Sequence, residues 1–301
     1  MTSLSAIAAR GRSYRASHPW WFLIPAYVLL ALFFLTPTIY NFVYAATDWS
    51  SFKSEINPVG LRNFETLLAN GALLNSLRIT FIYAVGVAIC QNFFGLALAL
   101  LLERDTLLNR AVRVLFFIPV VMSALAAGYI WKALLDTAGG LNQALSFFAG
   151  HDVAVAWLGS TSGTLYVLIL IHSWKWMGLS MLVYLAGLKT VDGQLLEAAK
   201  IDGASPWQVF TKIRLPLIAP AVTFNVATAL LGSMNSFDVI AATTGGGPGG
   251  STEVLNMFIF RTFGQGLYAQ ATTMSLVLFL SVLFIAFPLI AVLRRRERRM
   301  S

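Results

Sequence analysis

The sequence predicts an all-α, polytopic membrane protein with six transmembrane helices, and three observations predict it. Of 301 residues, 57% are hydrophobic and 11% charged, where a soluble domain has about 45–50% and about 25%. The apolar residues gather into runs close to the roughly 20 residues that cross a bilayer, giving a mean hydropathy of +0.73. The basic residues sit at alternate ends of those runs. The same composition removes other classes. The 22 Phe, 8 Trp and 9 Tyr are too many for a solvated coil. One cysteine excludes a disulfide framework or a cysteine zinc site, and three histidines argue against a histidine metal cluster. The net charge of +8 would suggest nucleic acid in a soluble chain, but no basic, aromatic-interleaved soluble surface exists to carry it.

The expected spans are residues 21–46, 77–102, 112–135, 164–188, 217–240 and 272–293. The first contains Pro25 and Pro37, tolerated in a membrane helix as a start or a kink. A basic stretch, Arg10 to Arg15, precedes it and Ala45-Ala46 could serve as a cleavage site. The apolar run is nevertheless well beyond the 7–15 residues of a signal core, so it reads as a retained span. Fifteen Lys and Arg, from Arg10, Arg12 and Arg15 through Arg104, Arg110, Arg113, Lys189, Lys200, Lys212 and Arg214 to the arginines of 294–299, fall on one side. Five, Lys53, Arg62, Arg78, Lys132 and Arg261, fall on the other. The bias predicts both termini in the cytoplasm. The external connections 47–76, 132–163 and 241–271 are expected to hold short re-entrant or interfacial segments rather than a separate domain.

The cytoplasmic connection 189–220 is the most informative stretch. Gln194–Asp202 consists of good helix formers and stops at Gly203, the residue suited to a left-handed helix end. Ser205, Pro206 and Gln208 then spell a capping box with proline at the first helical position. A second helix is expected from Pro206 to Lys212, broken by Pro216. Its face mixes apolar Leu195, Ala198, Ala199, Trp207 and Phe210 with charged Glu197, Lys200 and Asp202. Such a helix pair suits a partner's groove. The alternative is an amphipathic helix on lipid, which two acids beside Lys200 disfavour at an anionic surface.

These residues resemble the EAA loop of ABC importer permeases. Glu197-Ala198-Ala199 is followed by Gly203 and then by Ile213-Arg214-Leu215-Pro216. The full stretch Glu197 to Ala204 is similar to the sugar-importing, MalF-like branch, as are Thr244 to Thr252 and Trp174-Lys175-Trp176 with Gly178. The resemblance implies a type I importer permease fold over residues 21–293, between a cytoplasmic segment 1–20 and a basic tail 294–301. It implies a second permease subunit, an ATPase dimer met through the loop, an extracytoplasmic solute-binding protein, and a sugar or polyol as substrate. Glu197, Ala198, Ala199, Asp202, Gly203, Ala204, Pro206, Ile213 and Pro216 are then the ATPase-coupling residues. A permease for another solute and a secondary transporter are the alternatives.

The chain is not expected to be an enzyme or to hold a cofactor or a metal. Gly245–Gly250 is glycine-rich, but a phosphate-binding loop needs a lysine after its glycines and none follows. Mg-ATP would be held by the partner ATPase. No paired-histidine zinc motif occurs, and His172 reads as a packed, hydrogen-bonded side chain. For the solute path, Asn225, Thr228, Gly232, Asn235 and Ser236 fall within about 100° of one helical face. Ser233, Met234, Phe237 and Asp238 adjoin them. Amides and hydroxyls with an aromatic platform suit a sugar, so these residues are candidate substrate contacts. Lys175, flanked by Trp174, lies near mid-depth of the fourth span and joins the candidates, with Asp238 as its candidate ion partner.

Overall fold

The computed structural model describes the backbone of residues 20–298 and the side chains of residues 21–295. The basic N-terminal segment with Arg10, Arg12 and Arg15, His18, and most of the arginine tail lie outside the described residues. The described chain is helical, with no strand. Four helices are long and apolar enough to cross a membrane, α1 (Trp21–Ala45), α3 (Ala72–Leu101), α7 (Thr164–Leu188) and α13 (Tyr268–Arg298). Two bent helix pairs are together long and apolar enough to add one span each. Helix α4 (Leu107–Val121) turns through 103° into α5 (Ala124–Leu134), and α9 (Pro206–Leu217) turns through 71° into α10 (Ala219–Met234). Short helices fill the connections: α2 (Arg62–Ala69), α6 (Gly140–Ala149), α8 (Gly193–Ile201), α11 (Asp238–Thr243) and α12 (Leu255–Gly264).

Span limits differ from the hydropathy reading where side chains outweigh it. The fourth span falls at 164–188 as expected. The second starts five residues early, at Ala72, because the Asn70 side chain accepts the Ala72 N–H at 3.0 Å. The sixth starts at Tyr268, where the Ala269 N–H bonds to Trp49 O at 2.9 Å and the Tyr268 ring packs tilted against Trp49. The expected third span, 112–135, is not continuous. Pro119 sits inside α4 and cannot donate to the preceding turn, and Met122 and Ser123 are extended. The expected fifth span, 217–240, is likewise interrupted, at Ile218 and again at Asn235–Phe237 between α10 and α11.

Two prolines pass through helices without breaking them. Pro37 follows a π-helical turn at Ala31–Leu35, closed by Thr36 N–H to Ala31 O. Pro216 follows another at Phe210–Arg214, closed by Leu215 N–H to Phe210 O. Each wide turn contains the carbonyl that the proline cannot satisfy. The expected stop before Pro216 is thereby corrected, since α9 runs on to Leu217.

The core is centred on α3 and α7. Tyr83, Val87, Leu168, Ile169 and Ile171 pack with Val239 and Ile240 at one end, and Ala99, Met181, Tyr184 and Leu188 pack with Ile218 at the other. Polar pairs tie the two helices, Gln91 Nε2 donating to Ser180 Oγ at 2.9 Å and Tyr184 to Asn92 Oδ1 at 2.6 Å. Helix α1 lies outermost, joined to α13 by Phe42 against Phe279 and by Thr273 Oγ1 donating to Ala45 O.

Candidate functional site: a knob on the 189–220 connection and two helix breaks

The 189–220 unit forms from its own residues. Helix α8 is capped by Asp192, whose carboxylate accepts the Gln194 N–H at 2.9 Å. It ends in a Schellman turn, with Gly203 N–H to Lys200 O at 3.1 Å and Ala204 N–H to Ala199 O at 3.0 Å. Gly203 has φ +77°, a conformation that costs a residue with a Cβ roughly 1–2 kcal/mol. Both halves of the Ser205–Gln208 capping box are present, with Pro206 in the first turn. What remains exposed is a knob: Leu195, Glu197, Ala198, Ile201, Asp202, Gly203, Pro206 and Trp207. Ile201 is 86% and Trp207 71% exposed.

Ala199 departs from the expected face. It is buried, and its carbonyl accepts the Ala204 N–H that closes the turn. Ala204, Phe210, Ile213 and Pro216 are half-buried. Ile201 was not read from the sequence as part of the knob. Behind it the unit is fastened to the bundle. Arg214 Nη1 meets Glu103 Oε2 at 2.8 Å, and Leu215 and Ile218 pack with Leu102, Leu185 and Leu188. Arg113 donates to the carbonyls of Leu102, Glu103 and Arg104, capping the end of α3. The Arg110 guanidinium holds the Asp105 carboxyl below its ordinary range.

The second part of the site lies at mid-depth. Lys175 is eleven residues into α7, about 16 Å from its end at 1.5 Å per residue, half of a hydrocarbon core about 30 Å thick. It is 2% exposed. Its ammonium donates to the carbonyls of Pro119, Val120 and Met122 at 3.2, 3.2 and 2.9 Å, the backbone freed where α4 gives way to α5. The Trp176 ring lies 4.6 Å away. This corrects the expected pairing with Asp238, as no ion pair among the described residues includes Lys175. Non-helical backbone at membrane depth needs such partners. Trp174 packs edge-on against Trp131 of α5, 5.4 Å between centroids.

One turn away on α7, His172 Nδ1 and the Tyr83 hydroxyl share a hydrogen bond at 2.9 Å. Ser236, in the break between α10 and α11, lies 3.4 Å from that hydroxyl and 3.5 Å from the imidazole. Tyr83, His172 and Ser236 are all buried.

The candidate solute face of the fifth span divides. Asn225, Ser233 and Met234 turn into the bundle: Asn225 Nδ2 donates to Ser180 O, Ser233 Oγ to Ala229 O, and Met234 is 2% exposed against Ala84 and Ala88. Thr228, Gly232, Asn235 and Asp238 are exposed. The buried–open boundary runs through the roughly 100° face, which is why periodicity alone grouped them. At the break, Asn256 Nδ2 donates to Asn235 O at 3.0 Å and the Phe237 ring packs tilted against Phe260, 4.8 Å between centroids. Phe237, Asn256, Phe260, Asn41 and Ser275 line a cleft of about 460 Å³. Asn256 and Phe260 were missed in the sequence, since they lie on a helix after the glycine-rich loop. That loop folds on itself, Thr244 and Thr252 hydroxyls meeting at 2.8 Å and Thr252 donating to Gly247 O at 2.6 Å.

Known proteins share this architecture. The sequence matches the family described as "Binding-protein-dependent transport system inner membrane component" over residues 91–301. The chain is 30% identical over 282 residues to a probable starch degradation products transport system permease protein, AmyD, of Thermoanaerobacterium thermosulfurigenes, covering 93% of this chain and 95% of the relative. It is 27% identical to the multiple sugar-binding transport system permease protein MsmF of Streptococcus mutans, covering 87% and 90%. It is 26% identical to the lactose transport system permease protein LacF of Rhizobium radiobacter, covering 95% and 97%. A crystal structure of a bacterial ABC transporter involved in the import of the acidic polysaccharide alginate superposes with a TM-score of 0.78 at 22% identity, over 94% of this chain and 95% of that one. The chain belongs to the family of binding-protein-dependent transport system inner membrane components.

Proposed function

We infer that this chain is one of two permease subunits of an ATP-driven, binding-protein-dependent importer for a sugar or related polyol, with both termini in the cytoplasm. The observation that carries the reading is the knob of α8 and α9. It is capped at both helix ends, fastened to the bundle by Arg214 and Glu103, and exposes Ile201 and Trp207 around a left-handed glycine. A rigid apolar projection with a charged rim suits a groove on a partner, here an ATPase subunit that supplies Mg-ATP chemistry the chain itself does not perform. Glu197 and Asp202 stand at the rim for basic groups of that partner. The sugar assignment rests on relatives whose names give starch products, multiple sugars and lactose.

For the solute, Asn235, Thr228 and Asp238 offer polar groups on the open face, and Phe237 with Phe260 offers a ring surface for the C–H face of a sugar. Asn225, Ser233, Met234, Trp174 and Lys175 act behind them as support. ATP binding closes the ATPase pair, the knobs move with it, and the bundle opens outward to the binding protein; hydrolysis resets it.

The test is co-purification of tagged wild type and Gly203→Asp from gently solubilised membranes, with chains identified by mass. Wild type is expected to bring down an ATPase and a second permease. The variant is expected to insert normally, lose most of the ATPase and stop ATP-driven uptake. Uptake at the wild-type rate by Gly203→Asp, or wild type purifying alone, overturns the reading.

A further inference from the structure

His172 and Lys175 lie three residues apart, one turn of α7, and each fastens a different broken span. Lys175 supplies three hydrogen bonds to the freed end of α4. His172, with Tyr83, holds Ser236 between α10 and α11. The helices before the two breaks are packed on α7 itself. A Cβ on Gly178 would stand 2.2 Å from Phe116 O in α4, and one on Gly187 would stand 3.0 Å from the Ala221 Cβ in α10. The helices after the breaks are packed on each other, because a Cβ on Gly128 of α5 would stand 2.6 Å from the Ala242 Cβ of α11. The four half-helices and the 172–187 stretch of α7 therefore close a ring of contacts.

We propose that His172, acting through the Tyr83 hydroxyl, and Lys175 are positioning residues that couple the two breaks, so that the α4–α5 angle and the α10–α11 angle change together and not independently. The physical ground is close packing. Bodies this tightly seated move between discrete arrangements rather than deforming continuously. If α5 swings, α11 must follow through Gly128, and the carbonyls that Lys175 holds and the hydroxyl that His172 holds are released from a shared turn. Coupling of this kind is reciprocal, equal in size when read from either end. The proposal goes beyond the transport reading and does not depend on the solute.

The experiment uses the full chain within its purified membrane complex in nanodiscs, with Cys90→Ser removing the single native thiol. Spin labels at Leu115 and Tyr129, exposed positions on α4 and α5, report the first break. Labels at Phe224 and Asp238, exposed on α10 and α11, report the second. Tyr83→Phe removes the hydroxyl at the second break while keeping the ring in place; a second distance is expected at the distant Leu115–Tyr129 pair as well as at its own. Lys175→Met is expected to do the converse, and Lys175→Arg, which can still donate to carbonyls, to restore single distances at both. A substitution that disturbs only its own break, with the other pair unchanged, overturns the proposal. Should Lys175→Met fail to assemble, the Tyr83→Phe measurement decides alone.

Discussion

Gly203 and Gly178 do opposite work, and the contrast separates the two halves of this molecule. Around Gly203 nothing lies within 4 Å of where a Cβ would stand; the residue is needed for its φ of +77°. Gly178 has an ordinary helical backbone, but a Cβ there would meet Phe116 O at 2.2 Å and the Phe117 Cα at 3.0 Å. The first glycine shapes a turn that its neighbours in sequence specify. The second admits a helix sixty residues away. The knob is thus local chemistry, whereas the site around Lys175 is built from contacts between distant segments.

Substitutions sharpen that contrast. The largest effect is expected at Gly178→Leu, where backbone of α4 rather than a flexible side chain must give way, at a cost of about 3 kcal/mol or more. It should abolish recovery of monodisperse protein by gel filtration; recovery at the wild-type level would show that α4 and α7 are not seated as described. Next is Gly203→Ala, with roughly 1–2 kcal/mol of backbone strain and no clash. It should leave thermal unfolding of the bundle nearly unchanged while ATP-driven uptake falls, and Gly203→Asn, which tolerates this φ better, should recover part of that loss. If Gly203→Ala lowered the unfolding temperature as much as Gly178→Leu, the knob would not be separable from the core. Ser205→Ala should cost about 1 kcal/mol, read as faster amide exchange at Gln208 with the rest of α9 protected. The smallest effect is expected at Glu103→Gln, a part-exposed partner of Arg214 worth about 0–1 kcal/mol; any drop in unfolding temperature should shrink further in high salt.

Much of the knob was legible in the sequence because caps and turns are decided within a few residues. Gly203, Ser205, Pro206 and Gln208 each announce a backbone conformation or a hydrogen bond. The continuous fourth span was legible for a related reason, since its limits coincide with its apolar run. The broken spans were not. Hydropathy averages over a window and is blind to Pro119 followed by extended Met122 and Ser123, a signal that could have been read from the proline itself. Lys175 stood out by its charge, yet its partners are carbonyls, which every residue carries and no residue name reveals. Asn225 and Asn235 look alike in the sequence, and only the packing of α10 on α7 decides which of them turns inward.

The π-helical turns before Pro37 and Pro216 set a phase. Each adds one residue to a helix, so every side chain beyond it is rotated by about 100° from where an unbroken α-helix would put it. In α9 that offset lies between Trp207 on the knob and Leu215 in the core. Deleting one residue from Phe210–Arg214 would leave the proline in place but re-aim the knob by more than a quarter turn relative to the membrane bundle.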